Sequence, residues 1–137
     1  MALIDIENEI IDLVYKAIKA TRDDVTVSSM YSRTVSKFPH VNIYEMDNAA
    51  NRDTADRGSV ENHAVLTYEV NVYSNKVSGA KAECRQIASI VDDALLTLGF
   101  NRLSLMPTPN LMDASVYRIT GRYSVIADAK NTLYRRT

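Results

Sequence analysis

The run AVLTYEVNVY at residues 64–73, followed by SGAKAECRQIASIVDDALLTL at residues 78–98, decides the fold. In the first run, Ala64, Leu66, Tyr68, Val70 and Val72 alternate with other residues, the period of a β-strand that buries one face. In the second, Cys84, Ile87, Ala88, Val91, Leu95 and Leu98 recur at i, i+3, i+4 and i+7, one face of an α-helix. That face needs an apolar layer to cover. The flanking strands supply one, because Phe100 to Met106 and Ser115 to Ala127 also read as extended, the latter with Tyr117, Ile119, Tyr123 and Val125 in alternation. Ser78 is the expected N-cap of the helix, and Gly99 is placed to end it in a left-handed conformation.

Upstream, a first helix is expected from about Ile4 to Ala20, with Ile6, Ile10, Leu13, Val14 and Ala17 as its apolar stripe. Acidic residues come early in it and lysines late, which suits the helix dipole. Val25 to Tyr31 reads as a strand, Phe38, Pro39 and His40 as a turn, and Val41 to Met46 as a second strand. Between Asp47 and Asn62 the only large aliphatic residue is Val60, too little to offset the entropy of ordering the segment. Residues 44–73 are therefore expected to form a hairpin with a long mobile tip at 47–62. Such a tip is either a tolerated insertion or an arm that orders on a partner.

Downstream, Pro107, Thr108, Pro109 and Asn110 form a connection that no helix or central strand accommodates, and Thr132 to Arg136 is a last short strand. The order α-β-β-β-α-β-β-β predicts one α+β domain over 1–137, a mostly antiparallel β-sheet with two α-helices packed on one face and a long β-hairpin loop. The other sheet face then carries Thr67, Glu69, Asn71 and Tyr73 on one strand and Arg118, Thr120, Arg122 and Ser124 on another. If these strands pair, Glu69 lies across from an arginine. Exposed pairs of this kind stabilise by only about 0 to 1 kcal/mol. The face is thus either a solvated ion-paired surface or a subunit contact, where arginine is enriched.

The totals exclude several function classes. With 16 Lys and Arg against 17 Asp and Glu, the net charge is −1, and no basic surplus exists to neutralise a phosphate backbone. Of the eight tyrosines, Tyr68, Tyr117 and Tyr123 belong to the core-facing set, which leaves too few for a base-stacking platform. The single cysteine, Cys84, sits on the apolar helix face as a small core residue. His40 and His63 have no second ligand at metal spacing, and no metal or other cofactor is expected. Asp92 and Asp93 are adjacent on the central helix and read as a solvated face. Gly58, Gly79, Gly99 and Gly121 are isolated, so there is no phosphate loop, and no nucleophile elbow surrounds any serine. An enzyme is not expected. Neither is a membrane protein, since no 18-residue apolar run occurs, and the N-terminus lacks the features of a secretory signal.

The run from Tyr68 through Ser74, the helix to Leu98, then Gly99, Phe100, Asn101, Arg102, Pro109, Asn110, Leu111, Met112, Asp113, Val116, Tyr117, Arg118, Arg122 and Tyr123, resembles the tail terminator proteins of long-tailed bacteriophages and prophages. These are also called tail-completion, head-tail joining or minor capsid proteins. The closing Leu133, Tyr134, Arg135 and Arg136 is similar to their C-terminal strand, and the resemblance spans about residues 64–136. It implies a structural virion protein, a homo-oligomeric and usually hexameric ring at the head-proximal end of the tail tube. Such a ring stops tube polymerisation and offers a docking surface to the neck.

The implied partners are further copies of the chain, the tail-tube protein and a head-completion or neck protein, with DNA only as cargo passing through the channel. The subunit would be made in the bacterial host cytoplasm. Exposure and charge nominate Arg52, Asp53, Asp56, Arg57, Glu61, Glu69, Arg118, Arg122, Arg135 and Arg136 as interface residues. Two alternatives stay open: another neck protein, such as a head-completion or stopper protein, and a small dimeric ligand-binding module.

Overall fold

The computed structural model describes residues 5–30, 35, 37–50, 63–109, 115–128 and 133–134. Helix α1 (Glu7–Thr21) is followed by β1 (Thr26–Ser28), β2 (His40–Ala50) and β3 (His63–Ser74), then by α2 (Ala80–Leu98), β4 (Asn101–Pro107), β5 (Tyr117–Asp128) and β6 (Leu133–Tyr134). Class and order are those expected. The sheet runs β1-β2-β3-β5-β4, and β6 pairs with β5 beyond the end of β4.

All pairings are antiparallel except the first, because β1 runs parallel to β2 with Thr26 opposite His40 and Ser28 opposite Asn42. The simple turn expected at Phe38 to His40 is therefore part of a longer crossover, which a parallel pair requires. Strand β1 is also shorter than the Val25 to Tyr31 reading. Conversely, β2 runs past Met46, since Asp47 to Ala50 pair with Thr67 to Ala64 after a bulge between Glu45 and Asp47. The backbone ladder satisfies the main-chain groups of this stretch without any large apolar side chain. The rest of the expected mobile tip, 51–62, lies outside the described residues.

Both helices cover one face. α1 packs on α2 and β2, and α2 packs on β3, β4 and β5. The core joins Ile10, Val14 and Ile18 of α1 with Ile87, Val91 and Leu95 of α2 and with Leu66, Tyr68, Val72 and Tyr123 of the sheet. The buried row of α1 is Ile6, Ile10, Val14 and Ile18 at strict i, i+4 spacing, whereas Leu13 is 45% exposed. Of the expected stripe, Ile6, Ile10 and Val14 are buried as expected, Leu13 faces outward, and Ile18 completes the row in its place. Gly79 (φ 87°), not Ser78, caps α2 at its start. Gly99 (φ 107°) ends it as expected, its N–H donating to Leu96 O at 3.0 Å while Phe100 N–H donates to Leu95 O at 3.0 Å. Pro107 falls inside β4 at its last residue, a place open to proline because β4 is an edge strand.

Candidate functional site

Strand alternation sends every second residue of β2, β3 and β5 away from the helices. The registers then set these side chains side by side: Asn42 faces Asn71, Tyr44 faces Glu69, Glu69 faces Arg122, Asn71 faces Thr120 and Tyr73 faces Arg118. The expected pairing of Glu69 with an arginine is therefore realised, at 3.6 Å from Arg122 Nη2 to Glu69 Oε1. Tyr44 donates its hydroxyl to the other carboxylate oxygen of Glu69.

Asn71 is the hub of this face. Its Oδ1 accepts from Arg118 Nε at 3.0 Å, Arg118 Nη2 at 2.8 Å and Thr120 Oγ1 at 2.8 Å. Its Nδ2 donates to Asn42 Oδ1 at 3.3 Å, and Asn42 Nδ2 donates in turn to Ser28 Oγ and Met30 O. The Arg118 guanidinium also lies 5.5 Å from the centre of the Tyr73 ring, within cation–π range. At the far end of the network, His40 has Nδ1 2.6 Å from Thr26 Oγ1 and Nε2 2.8 Å from Ser28 Oγ. Burial lowers the His40 pKa and favours the neutral ring.

The face is consequently less solvated than expected. Glu69, Asn71, Tyr73 and Thr120 are buried, and among the arginines Arg122 keeps a half-exposed side chain. The polar groups bond to one another across four strands, so most need no water. Toward β4 the face opens into a 290 Å³ concavity lined by Glu69, Arg118, Thr120, Arg122, Ser104 and Met106, among others. The structure thus brings together Glu69, Arg118 and Arg122. The other nominated residues, Arg52, Asp53, Asp56, Arg57, Glu61, Arg135 and Arg136, lie outside the described residues.

A second polar cluster sits on the helix side and escaped the sequence reading. Asp92 is buried rather than solvated: Tyr123 donates its hydroxyl to Asp92 Oδ1 at 2.7 Å, and Arg102 Nη1 lies 3.1 Å from Oδ2. Burial, then the bond to Asp92, raises the Tyr123 pKa and keeps the phenol protonated. Asp92 follows Val91 on the helix, and the signal that could have found it is the phenol of Tyr123, which needs a partner once the ring is inside the core. Between α2 and β4 this cluster borders a 270 Å³ cavity lined in part by Arg85, Asp92, Arg102 and Leu105.

Cys84 is buried, with Sγ 3.6 Å from Val72 O and 3.5 Å from Tyr117 O, and burial pushes its thiol up to about 12. It is a core residue, as expected. Among the described residues, no three His, Cys, Asp or Glu side chains are gathered as a metal would need, and no helix is long and apolar enough to cross a membrane.

No family model and no curated protein matches the chain. Solved structures do. One similar chain comes from a structure titled "Virion of native gene transfer agent (GTA) particle", with a TM-score of 0.50 and 15% identity, covering 81% of this chain and 88% of that one. At that identity the likeness is one of fold.

Proposed function

We propose that the chain is a structural component of a phage-like virion, a tail-terminator subunit that assembles into a ring at the head-proximal end of the tail tube. The observation that carries this reading is the likeness to a virion chain over most of both lengths. The tail-terminator resemblance of residues 64–136 narrows it to the tail end. The site chemistry is compatible with such a role. The polar side chains of the open face are engaged with one another, and the half-exposed Arg122 beside Arg118 provides cationic contacts of the kind common at subunit interfaces. In this reading the face bearing Glu69, Arg118 and Arg122 meets an assembly neighbour, either the tube ring below or the neck above.

The test is to mix the purified protein with polymerising tail-tube subunits and follow tube length by electron microscopy. Tubes should stop growing and carry a ring at one end. Tubes that elongate as in the absence of the protein, with no density bound at their ends, would overturn the proposal. A ring found only on DNA-filled heads would assign the chain to the neck instead.

A further inference from the structure

Arg118 is a cation without a counter-ion. Its side chain is partly buried, yet among the described residues no carboxylate pairs with it, and its neighbours are the neutral Asn71 amide and the Tyr73 ring. Taking a guanidinium out of water is costly when no opposite charge compensates it, so stability alone is a poor reason for this arrangement. Of the five N–H donors of a guanidinium, Asn71 Oδ1 takes one on Nε and one on Nη2. The end-on pair, one N–H on Nη1 and one on Nη2, is left, and that is a fork that binds a carboxylate through two parallel bonds.

Arg118 lines the 290 Å³ concavity together with Arg122, which lies on the same face of β5. Arg122 is half exposed and 3.6 Å from Glu69 Oε1, too far for a hydrogen bond, so among the described residues its donors are uncommitted. Ser104 and Thr108 add hydroxyls to the lining, and Met106, 54% exposed, adds an apolar contact. Glu69 is the one carboxylate there; it is buried, and its other oxygen accepts from Tyr44. Two positive charges thus face one negative charge, a surplus of one cation.

We infer that this concavity receives a single carboxylate side chain, Asp or Glu, from a protein partner. The carboxylate docks on the free edge of Arg118, with Arg122 flanking it and Met106 against an apolar neighbour in the partner. This deepens the reading above, in which the face meets an assembly neighbour, by naming what that neighbour presents. A phosphate backbone fits less well, because one surplus charge in a recess cannot neutralise a run of phosphates and Glu69 in the wall repels further negative charge. Asn71 and Tyr73 hold Arg118 in place before the partner arrives, so little side-chain entropy is lost on docking. An interface arginine contributes most under that condition.

The test is a titration of the isotope-labelled protein with a capped tripeptide, acetyl-Gly-Glu-Leu-amide, while the Nε–H signals of Arg118 and Arg122, assigned through their backbone, are followed by NMR. Both signals should shift and saturate. The same peptide with Gln in place of Glu should bind about tenfold more weakly, since charge-assisted hydrogen bonds exceed neutral ones. Arg118→Lys, which keeps the charge and loses the fork, should also weaken binding of the Glu peptide.

Equal shifts with the two peptides, or none with either, would overturn the inference. So would saturation by inorganic phosphate at the concentration that the Glu peptide needs, which marks an adventitious ion only, or tighter binding of a short DNA duplex, which marks a phosphate backbone. The tube experiment above separates the two claims. Capped tubes without peptide binding remove only this receptor. Peptide binding without capped tubes removes the terminator reading and leaves the receptor standing.

Discussion

Replacing Asn71 by alanine tests whether the open face is held as a network. The Asn71 side chain is fully buried, and its loss strips Arg118, Thr120 and Asn42 of a shared partner. Arg118 lies at the edge of the concavity and can turn toward water. Thr120 and Asn42, 8% and 3% exposed, have less recourse. A buried polar group left without its partner costs about 1–3 kcal/mol, so two of them, each partly relaxed, give about 3 kcal/mol. With a urea dependence of about 1.5–2 kcal/mol/M, the unfolding midpoint should fall by about 1.5–2 M. Folding should survive, since domains carry about 5–15 kcal/mol in total. Asn71→Asp keeps acceptors for Arg118 and Thr120 but sets a carboxylate oxygen against Asn42 Oδ1, which Asn42 cannot relieve by flipping without giving up Ser28 and Met30, so it too should be less stable than the native protein. Equilibrium urea unfolding followed by circular dichroism measures both. An alanine variant within about 0.5 kcal/mol of the native protein, or an aspartate variant as stable as the native protein, would refute the network as a source of stability.

Three further outcomes are expected. Because burial lowers the His40 pKa from its ordinary 6.5, the unfolded chain takes up a proton at higher pH than the folded one. Stability should therefore be full above about pH 6.5 and drain as pH falls toward the folded value, and His40→Gln should flatten that part of a urea-midpoint profile; an unchanged slope in the variant would refute it. A Cβ on Gly121 would lie 3.0 Å from Tyr123 Cε1 and 3.1 Å from Leu105 Cδ1, so Gly121→Ala should cost about 1–3 kcal/mol through crowding. Adding Leu105→Ala should recover part of that loss, and strictly additive costs in denaturation would show that the two sites do not touch. Tyr123→Phe leaves Asp92 with Arg102 alone and should cost about 1.5–3 kcal/mol, the range for a hydrogen bond to a charged group; calorimetry showing an unchanged melting temperature would contradict it.

Periodicity carried most of the fold. Alternation at Leu66, Tyr68, Val70 and Val72 and the i, i+3, i+4 row at Cys84, Ile87, Val91 and Leu95 predict a strand and a helix that the structure contains, with the same residues buried. Single-residue choices were harder. Leu13 is as apolar as Val14, and only docking against α2 and β2 decides which of them is buried. Asp47 to Ala50 look like loop because Asp, Asn and Ala carry little apolar surface to bury, yet the β3 ladder recruits their backbone. The parallel pairing of β1 was not legible, since no side-chain pattern encodes the direction of a three-residue strand. For the site, Glu69 opposite Arg122 was legible from alternation. Asn71 as hub and Asp92 as a buried partner depended on registers and on a helix–strand contact that no linear spacing reports.

These features meet on β5. Its inward residues hold Tyr123 against Asp92, which itself engages Arg102 of β4, while its outward residues place Arg122 on Glu69 and Arg118 on Asn71. A slip of one residue would exchange the two sets and put a guanidinium into the core. The register of β5 is therefore fixed from both faces, and β4, tied through Arg102 to Asp92 of α2 and packed against β5 by Leu105 over Gly121, is positioned with equal definition. An edge strand with exposed apolar residues needs that definition, because a loosely held edge would pair with any strand it met. The definition of the two faces of β5 is in this sense one property, and a variant that loosens the outer set, such as Asn71→Ala, should also hasten amide hydrogen exchange along β4.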